Sequence, residues 1–262
     1  MNTPVEGFSK LTKTQKIDWI ANNCTKDPKG TKQVLEQYWN MDPRVQKLHD
    51  EFIENTISNY YLPFAIAPNF KINGEIFAIP MAIEESSVVA AASKAAKFWL
   101  ERGGFKAEII GTEKVGQVHF IYKGGTEKLS NFFISAKPEL LKSVATITQS
   151  MEKRGGGINT IELRDKIDGY YQLHCTFETL DAMGANFINS CLEQFAKTLK
   201  EQALLFEAFS EEEKNIEVVM SILSNYVPDC LVKAEVSCPI ADLGNADMPA
   251  EAFAEKFVQA VN

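Results

Sequence analysis

The sequence predicts an α+β protein: a large domain of mixed helix and sheet into which a small β-α-β-β-α-β unit is inserted. Three observations carry this. Helical periodicity from Thr14 to about Asn59 gives way to two apolar strands on either side of Asn73-Gly74. From about Gly116 the rhythm becomes strand, helix, two strands, helix, strand. After Asn225 another strand and a last helix follow, as if the first region were completed there. The expected divisions are 1–111 and 225–262 for the large domain and 112–224 for the insertion. With 262 residues, 45% apolar and 24% charged, the chain has enough material for two cores.

Each element has its own signal. In the first region Leu35, Tyr38 and Trp39 recur at helical steps and are expected in the core, with Pro28-Lys29-Gly30 as a break. "YLPFAIAPNFKI" and "IFAIPMAI" meet across Asn73-Gly74, the strongest short hairpin signal. The helix from about Ser87 to Arg102 carries Val88, Ala92, Ala95 and Trp99 on one stripe, whose small residues suit close packing, including against a second subunit.

"QVHFIYKG" alternates as a strand, and "KPELLKSVATITQSMEKR" is helical with Pro138 in its early turn. "INTIELRD" and "GYYQLHCTFET" are strands joined through Asp168-Gly169. "DAMGANFINSCLEQFAKTLKEQ" is a helix with Asp181 as N-cap, Gly184 in its first turn, and Met183, Phe187, Cys191 and Phe195 on one stripe. "IEVVMSIL" and "CLVKAEVSCPI" are strands, and "PAEAFAEKFVQAV" is a helix that stops at Asn262. The middle series is the split order of a ferredoxin-like unit.

Composition excludes several classes. A net charge of −8 without a dense Lys/Arg cluster argues against a nucleic-acid partner. "TEKLSNFFISAKPELLK" reads as a mixed, solvated surface. The five cysteines contain no C-x-x-C and share no ligand spacing with His49, His119 and His174, so no metal site is expected. The N-terminus lacks the apolar core of a signal peptide, and no apolar run approaches about 20 residues, so a cytoplasmic protein without a membrane span is expected.

Three features bear on chemistry. Glu84 and Glu85 stand where strand becomes helix. On the bland reading they complement the helix dipole, and on the sharper one a paired, buried carboxylate exchanges protons near neutrality. Gly155, Gly156 and Gly157 join a helix to a strand, where a helix stop explains one glycine and close approach of a flat or phosphorylated ligand explains three. They do not form G-x-G-x-x-G after a strand. In "DAMGAN" the bare first turn offers amides to an anion.

Together with "ENTISNYYLPFAIAPNFKINGEIFAIPMAIEESSVVAAASKAAK" and "ILSN", these stretches resemble hydroxymethylglutaryl-CoA reductases of the bacterial type, from about Gly7 to Asn262. The resemblance implies reduction of hydroxymethylglutaryl-CoA to mevalonate and CoA by two nicotinamide hydrides, or the reverse, in a homodimer. It implies Glu85 as the acid/base residue and Ser87 as a holder of the substrate carboxylate. Glu54, Asn55 and Ile57 would line the CoA side. Asp181, Ala182, Met183, Gly184 and Asn186 would bind the cofactor beside Gly155, Gly156 and Gly157, with Asn225 near the nicotinamide.

Members that prefer NADH carry an aspartate in the helix before the glycines. Thr148 stands at about that place, which leans toward NADPH. Ser58 replaces the family's glycine after Ile57, and Ser86 replaces a proline. The family's segments with the catalytic lysine, a substrate arginine, an aspartate and the thiolate-protonating histidine have no match here, so the polypeptide alone is expected to be inactive or nearly so. The rival readings are a non-catalytic CoA- or nucleotide-binding assembly fragment and a ferredoxin-like regulatory domain. The second leaves E-N-T-I-S and E-E-S-S idle.

Overall fold

Three capped helices open the chain in the computed structural model, which describes residues 4–167, 169–244 and 247–261. α1 (Lys13–Cys24) starts with a reciprocal cap: the Gln15 N–H donates to Thr12 Oγ1 at 3.3 Å and the Thr12 N–H to Gln15 Oε1 at 2.9 Å. α2 (Pro28–Gln37) and α3 (Pro43–Asp50) follow caps by Asp27 and Asp42, each with proline in the first helical position. Pro28 therefore starts a helix instead of breaking one, because its missing N–H falls where no intrahelical partner exists. Tyr38, expected in the core, is 45% exposed. Its carbonyl accepts from Asn59 and Tyr61.

β1 (Phe64–Ile72) and β2 (Glu75–Ala82) form the expected antiparallel hairpin, with Ile72 opposite Glu75. Asn73 and Gly74 both take positive φ, 51° and 92°, as this turn requires. α4 (Val88–Leu100) packs on β1. Its buried residue is Ala96, not Ala95, so the apolar stripe runs at four-residue steps through Val88, Ala92 and Ala96.

β3 (Lys106–Ile121) is much longer than the predicted strand. α5 (Thr126–Ser143) occupies the stretch expected to be mere solvated surface and buries Leu129, Phe132, Ala136 and Leu140. These lie three and four apart, a helical stripe between charged neighbours. Pro138 lies inside this helix and not in an early turn. α6 (Ala145–Glu152) follows, then β4 (Gly157–Ile167) and β5 (Tyr170–Glu178). Asp168, half of the expected hairpin turn, lies outside the described residues, and Gly169 has φ 74°.

α7 (Ala185–Leu205) begins later than predicted: its N-cap is Gly184, in the left-handed region, so Asp181 is not the cap and Gly184 is not in the first turn. Met183, expected on the buried stripe, is 75% exposed, whereas Ile188, Cys191, Leu192, Phe195 and Leu199 are buried. β6 (Glu217–Leu223), β7 (Cys230–Glu235) and α8 (Ala250–Val261) complete the series, and Asn262 lies outside the described residues.

The sheet order β4-β5-β3-β6, antiparallel throughout, is that of a ferredoxin-like β-α-β-β-α-β unit, with β7 paired to the first half of β3. α5 and α7 pack together, and their stripes join Val118, Phe120, Leu173, Cys175 and Phe177 in one core. The register aligns Glu162, His174 and Gln117, and beside them Arg164, Gln172 and His119. These alternate with the core residues and so form the other, polar face of the sheet. Two compact units result: Met1–Gly104 with Cys238–Asn262, and Phe105–Ser237.

Candidate functional site

In the first unit the two carboxylates are not helix caps. Ser87 is the N-cap of α4, without a side-chain hydrogen bond, and the helix has no acid in its first turn. Glu84 and Glu85 precede it, both exposed. Among the described residues neither accepts a hydrogen bond nor forms an ion pair. Ser87 is held at φ 72° and Asn55 at φ 58°. A left-handed serine costs roughly 1–2 kcal/mol, and such strain concentrates where function demands a particular backbone.

Asn55 lies in a segment tied down behind it. The Trp39 indole N–H donates to the Ile57 carbonyl at 3.0 Å, and the Ser58 hydroxyl donates to the Leu35 carbonyl. Ser58 thus fastens the segment to α2. Glu54 and Asn55 remain exposed.

In the second unit, the loop from β5 into α7 is built around Thr179, 1% exposed, whose hydroxyl donates to the Ala182 carbonyl at 2.7 Å. The Leu180 N–H donates to Glu178 Oε1 at 2.7 Å, and the Thr112 hydroxyl donates to the other Glu178 oxygen. That hydroxyl, more than any other group, holds the Glu178 carboxyl below the usual carboxylate range. Leu180 has φ 55° and Gly184 φ 75°. A Cβ at Gly184 would lie 2.5 Å from Thr179 Cγ2, so the glycine is required twice over.

The result is an uncapped helix start. No side chain caps α7, its first turn carries no acid, and the first intrahelical bond runs from the Ile188 N–H to the Gly184 carbonyl at 2.9 Å. The amides of Ala185, Asn186 and Phe187 thus have no intrahelical acceptor, at the positive end of the dipole of a 21-residue helix. Asp181 is exposed beside them. Asn189, one turn further on, accepts from the Leu223 N–H at 3.0 Å and so fixes the end of β6, after which Ser224 and Asn225 follow.

The glycine run has local reasons at every position. Gly155 has φ 96° and Gly157 φ 134°, and the Gly155 and Gly156 N–H groups close α6 on the carbonyls of Glu152 and Met151. A Cβ on Gly156 would lie 2.5 Å from the Glu178 carbonyl oxygen. Backbone demands therefore account for all three glycines without a ligand. Thr148 is 2% exposed, its hydroxyl turned to the Ala145 carbonyl at 3.4 Å. Thr179, Leu180 and Asn189 escaped sequence reasoning, because no local pattern marks a buried threonine, a left-handed leucine or an asparagine that reaches a neighbouring strand.

Glu54, Asn55, Ile57, Glu85 and Ser87 belong to the first unit, and Thr148, Gly155–Gly157, Asp181–Asn186 and Asn225 to the second. Among the described residues no group of His, Cys, Asp and Glu could hold a metal, and no helix is long and apolar enough to cross a membrane.

Fold and site together define a two-unit α+β protein: uncommitted carboxylates before a left-handed serine in one unit, and an anion-ready helix start in a ferredoxin-like unit. The family model for hydroxymethylglutaryl-coenzyme A reductase matches residues 13–262, and the chain belongs to that family. It is 34% identical over 199 residues to the 3-hydroxy-3-methylglutaryl-coenzyme A reductase of Archaeoglobus fulgidus, covering 75% of this chain and 44% of that protein. A probable reductase of Borreliella burgdorferi is 34% identical over 194 residues, covering 71% and 41%. The chain thus spans less than half the length of these relatives.

The solved reductase of Streptococcus pneumoniae superposes with a TM-score of 0.67 at 29% identity, covering 98% of this chain and 66% of that one. A structure of the class II reductase of the same organism bound to NADPH in open conformations gives 0.67 at 28%, covering 95% and 57%.

Proposed function

We propose that these residues serve reduction of hydroxymethylglutaryl-CoA to mevalonate and CoA at the expense of two NADPH, or the reverse. The observation that carries this is family membership along residues 13–262, with Glu85 uncommitted in that frame. When bound, the nicotinamide cofactor supplies the hydride. The chain's own part is to hold and to move protons. Hydride addition to a thioester or aldehyde carbonyl builds negative charge on oxygen, and an acid within reach supplies the balancing proton. Glu85 is that acid, Ser87 holds the acyl carboxylate, and Glu54, Asn55 and Ile57 receive CoA.

On the cofactor side, the free amides of Ala185 and Asn186 take a phosphate, and Asp181 takes ribose hydroxyls. Gly155–Gly157 and Met183 frame that approach, and Asn225 stands by the nicotinamide. NADPH is taken over NADH because Thr148 stands at about the place where NADH-preferring members carry an aspartate, although this buried side chain does not itself face a ligand. The same reading makes the protein a cytoplasmic homodimer, in keeping with five free cysteines.

The polarising lysine of the family has no match in these 262 residues. Whatever flanks them, the polypeptide of this length is expected to bind NADPH and CoA without measurable turnover, which is the behaviour of a ligand-binding module. Calorimetric titration tests the cofactor half. NADPH binds the wild type, Gly184→Ala weakens it by about tenfold or more through the lost helix start, and Glu85→Gln leaves it unchanged. No NADPH binding to the folded wild type would sink the cofactor reading. Mevalonate formation by this polypeptide would sink the expectation of inactivity.

A further inference from the structure

The polar face of the ferredoxin-like sheet, opposite α5 and α7, holds a cavity of about 480 Å³, within the range of small-molecule sites. Neither proton donor nor phosphate holder of the proposed reaction lies in its wall. Much of that wall is satisfied internally. Arg164 pairs with Glu162 at 3.0 Å, Asn159 donates to Glu113 at 2.7 Å, and the Thr160 and Thr176 hydroxyls share a bond of 2.9 Å.

Among the lining groups that are not satisfied are an imidazole, an ammonium and a carboxylate. His174, on the inner strand β5, is 9% exposed, and its buried Nδ1 has no partner among the described residues. Burial first, and the nearby Arg164 guanidinium next, lower its pKa, so the ring is neutral at pH 7. The Lys166 ammonium and the Asp229 carboxylate, both exposed and both lining the cavity, form no ion pair or hydrogen bond with described residues.

Their placement has a polarity. Along β4, Thr160 pairs with Thr176, Glu162 with His174 and Arg164 with Gln172, so Lys166 stands beyond Arg164 at one end. Asp229 precedes Cys230, which pairs with Thr112, so it stands at the other end, near Glu113. A lone cation at one end, a lone anion at the other and a neutral imidazole between them do not suit a phosphate or a metal ion. They suit an extended molecule with a carboxylate, an ammonium and hydrogen-bonding groups in its middle.

We propose that this cavity binds a small extended zwitterion of the short-peptide class, carboxylate toward Lys166 and Arg164, ammonium toward Asp229 and Glu113, with its central amide on His174. Its wall includes Ser224 and Tyr226, which flank Asn225, so it borders the place proposed for the nicotinamide; the proposal stands whether or not the reductase reading does.

The test is titration of the full chain with triglycine, N-acetyl-triglycine and triglycine amide, followed by backbone amide NMR. Triglycine is expected to shift the amides of Thr160–Lys166 and His174, and each cap, by removing one charge-assisted contact, to weaken binding by about tenfold. Two exposed substitutions locate the ends. Lys166→Met should erase the preference for triglycine over its amide, and Asp229→Asn the preference over the acetylated form, with the fold intact in both. Failure of triglycine to shift these amides, equal binding of the capped peptides, or persistence of both preferences in the variants overturns the proposal.

Discussion

Leu180 and Gly184 bracket the segment that presents Asp181, and both sit at positive φ, 55° and 75°. Their consequences differ because a branched side chain is strained there and a glycine is not. Gly184→Ala is expected to lower stability by about 1–2 kcal/mol from backbone alone, and by more because its Cβ meets Thr179. Leu180→Asn, which tolerates the left-handed region, should be neutral or stabilising by up to about 1 kcal/mol. Urea midpoints of the two variants check the pair. Glu213 is a second case at this scale. It accepts from Lys128 Nζ at 2.8 Å and from the Ser210 N–H at 2.7 Å, with the Tyr122 hydroxyl at 3.3 Å. The Lys128 hydrogen bonds, then the Ser210 amide, bring its carboxyl down to about 2. A carboxyl of depressed pKa contributes stability that is complete above its unfolded value of about 4.3 and is lost as the pH falls toward about 2. Glu213→Gln is therefore expected to lower the urea midpoint at pH 7, the gap from wild type closing between those two values. A gap that stays constant with pH would show the contribution to be packing alone.

Among the elements, what was legible in the sequence depended on whether local chemistry alone decided the geometry. Asn73-Gly74 did, because only residues tolerant of positive φ make that turn, and the hairpin is where it was expected. The β-α-β-β-α-β order did as well, since alternation and helical period survive averaging over many residues. α5 did not: Lys128, Asn131, Lys137, Glu139 and Lys142 interrupt its stripe in the linear sequence, and only winding at 3.6 residues per turn brings Leu129, Phe132, Ala136 and Leu140 onto one face. The start of α7 was misplaced because Asp181 has the chemistry of a cap, while the turn was decided by Thr179 and a left-handed Leu180 that no sequence pattern announces. The candidate site was thus readable as segments, E-E-S-S and D-A-M-G, but the reason each is uncapped was not. Pro138 offers a test at this scale. It lies inside α5, exposed, where it withholds an N–H from the helix. Pro138→Ala restores that bond, and the gain is offset in part by the freer unfolded chain. A net rise of about 1–2 kcal/mol in unfolding free energy is expected. A fall would mean that a bend at Pro138 is needed for the stripe to meet α7.

Across the whole molecule the burial is unequal. The continuous core, from Val118 to Ile216, belongs to the second unit. In the first, the buried apolar side chains among the described residues are Ile17, Ala21, Ala67 and Ala96, three of them alanines. Each fully buried Leu, Ile or Phe contributes about 1.5–3 kcal/mol and an alanine far less, so the first unit has much less to set against its chain entropy. The two units should open separately in this polypeptide, the first at lower denaturant. The cysteines report this directly. Cys24, in the first unit, is exposed, whereas Cys175 and Cys191 lie in the second core. Burial pushes the Cys191 thiol up to about 12 and that of Cys175 up as well, which leaves little thiolate to react. A disulfide reagent added to the native chain should therefore label Cys24 at once. At intermediate denaturant, amides of α1 and α2 should exchange freely while those of β5 and α7 stay protected and both buried thiols stay unlabelled. Only at the second transition should Cys175 and Cys191 react. If a single transition exposed all three thiols together, the units would be one cooperative body, and the thin first unit would be drawing its stability from the second.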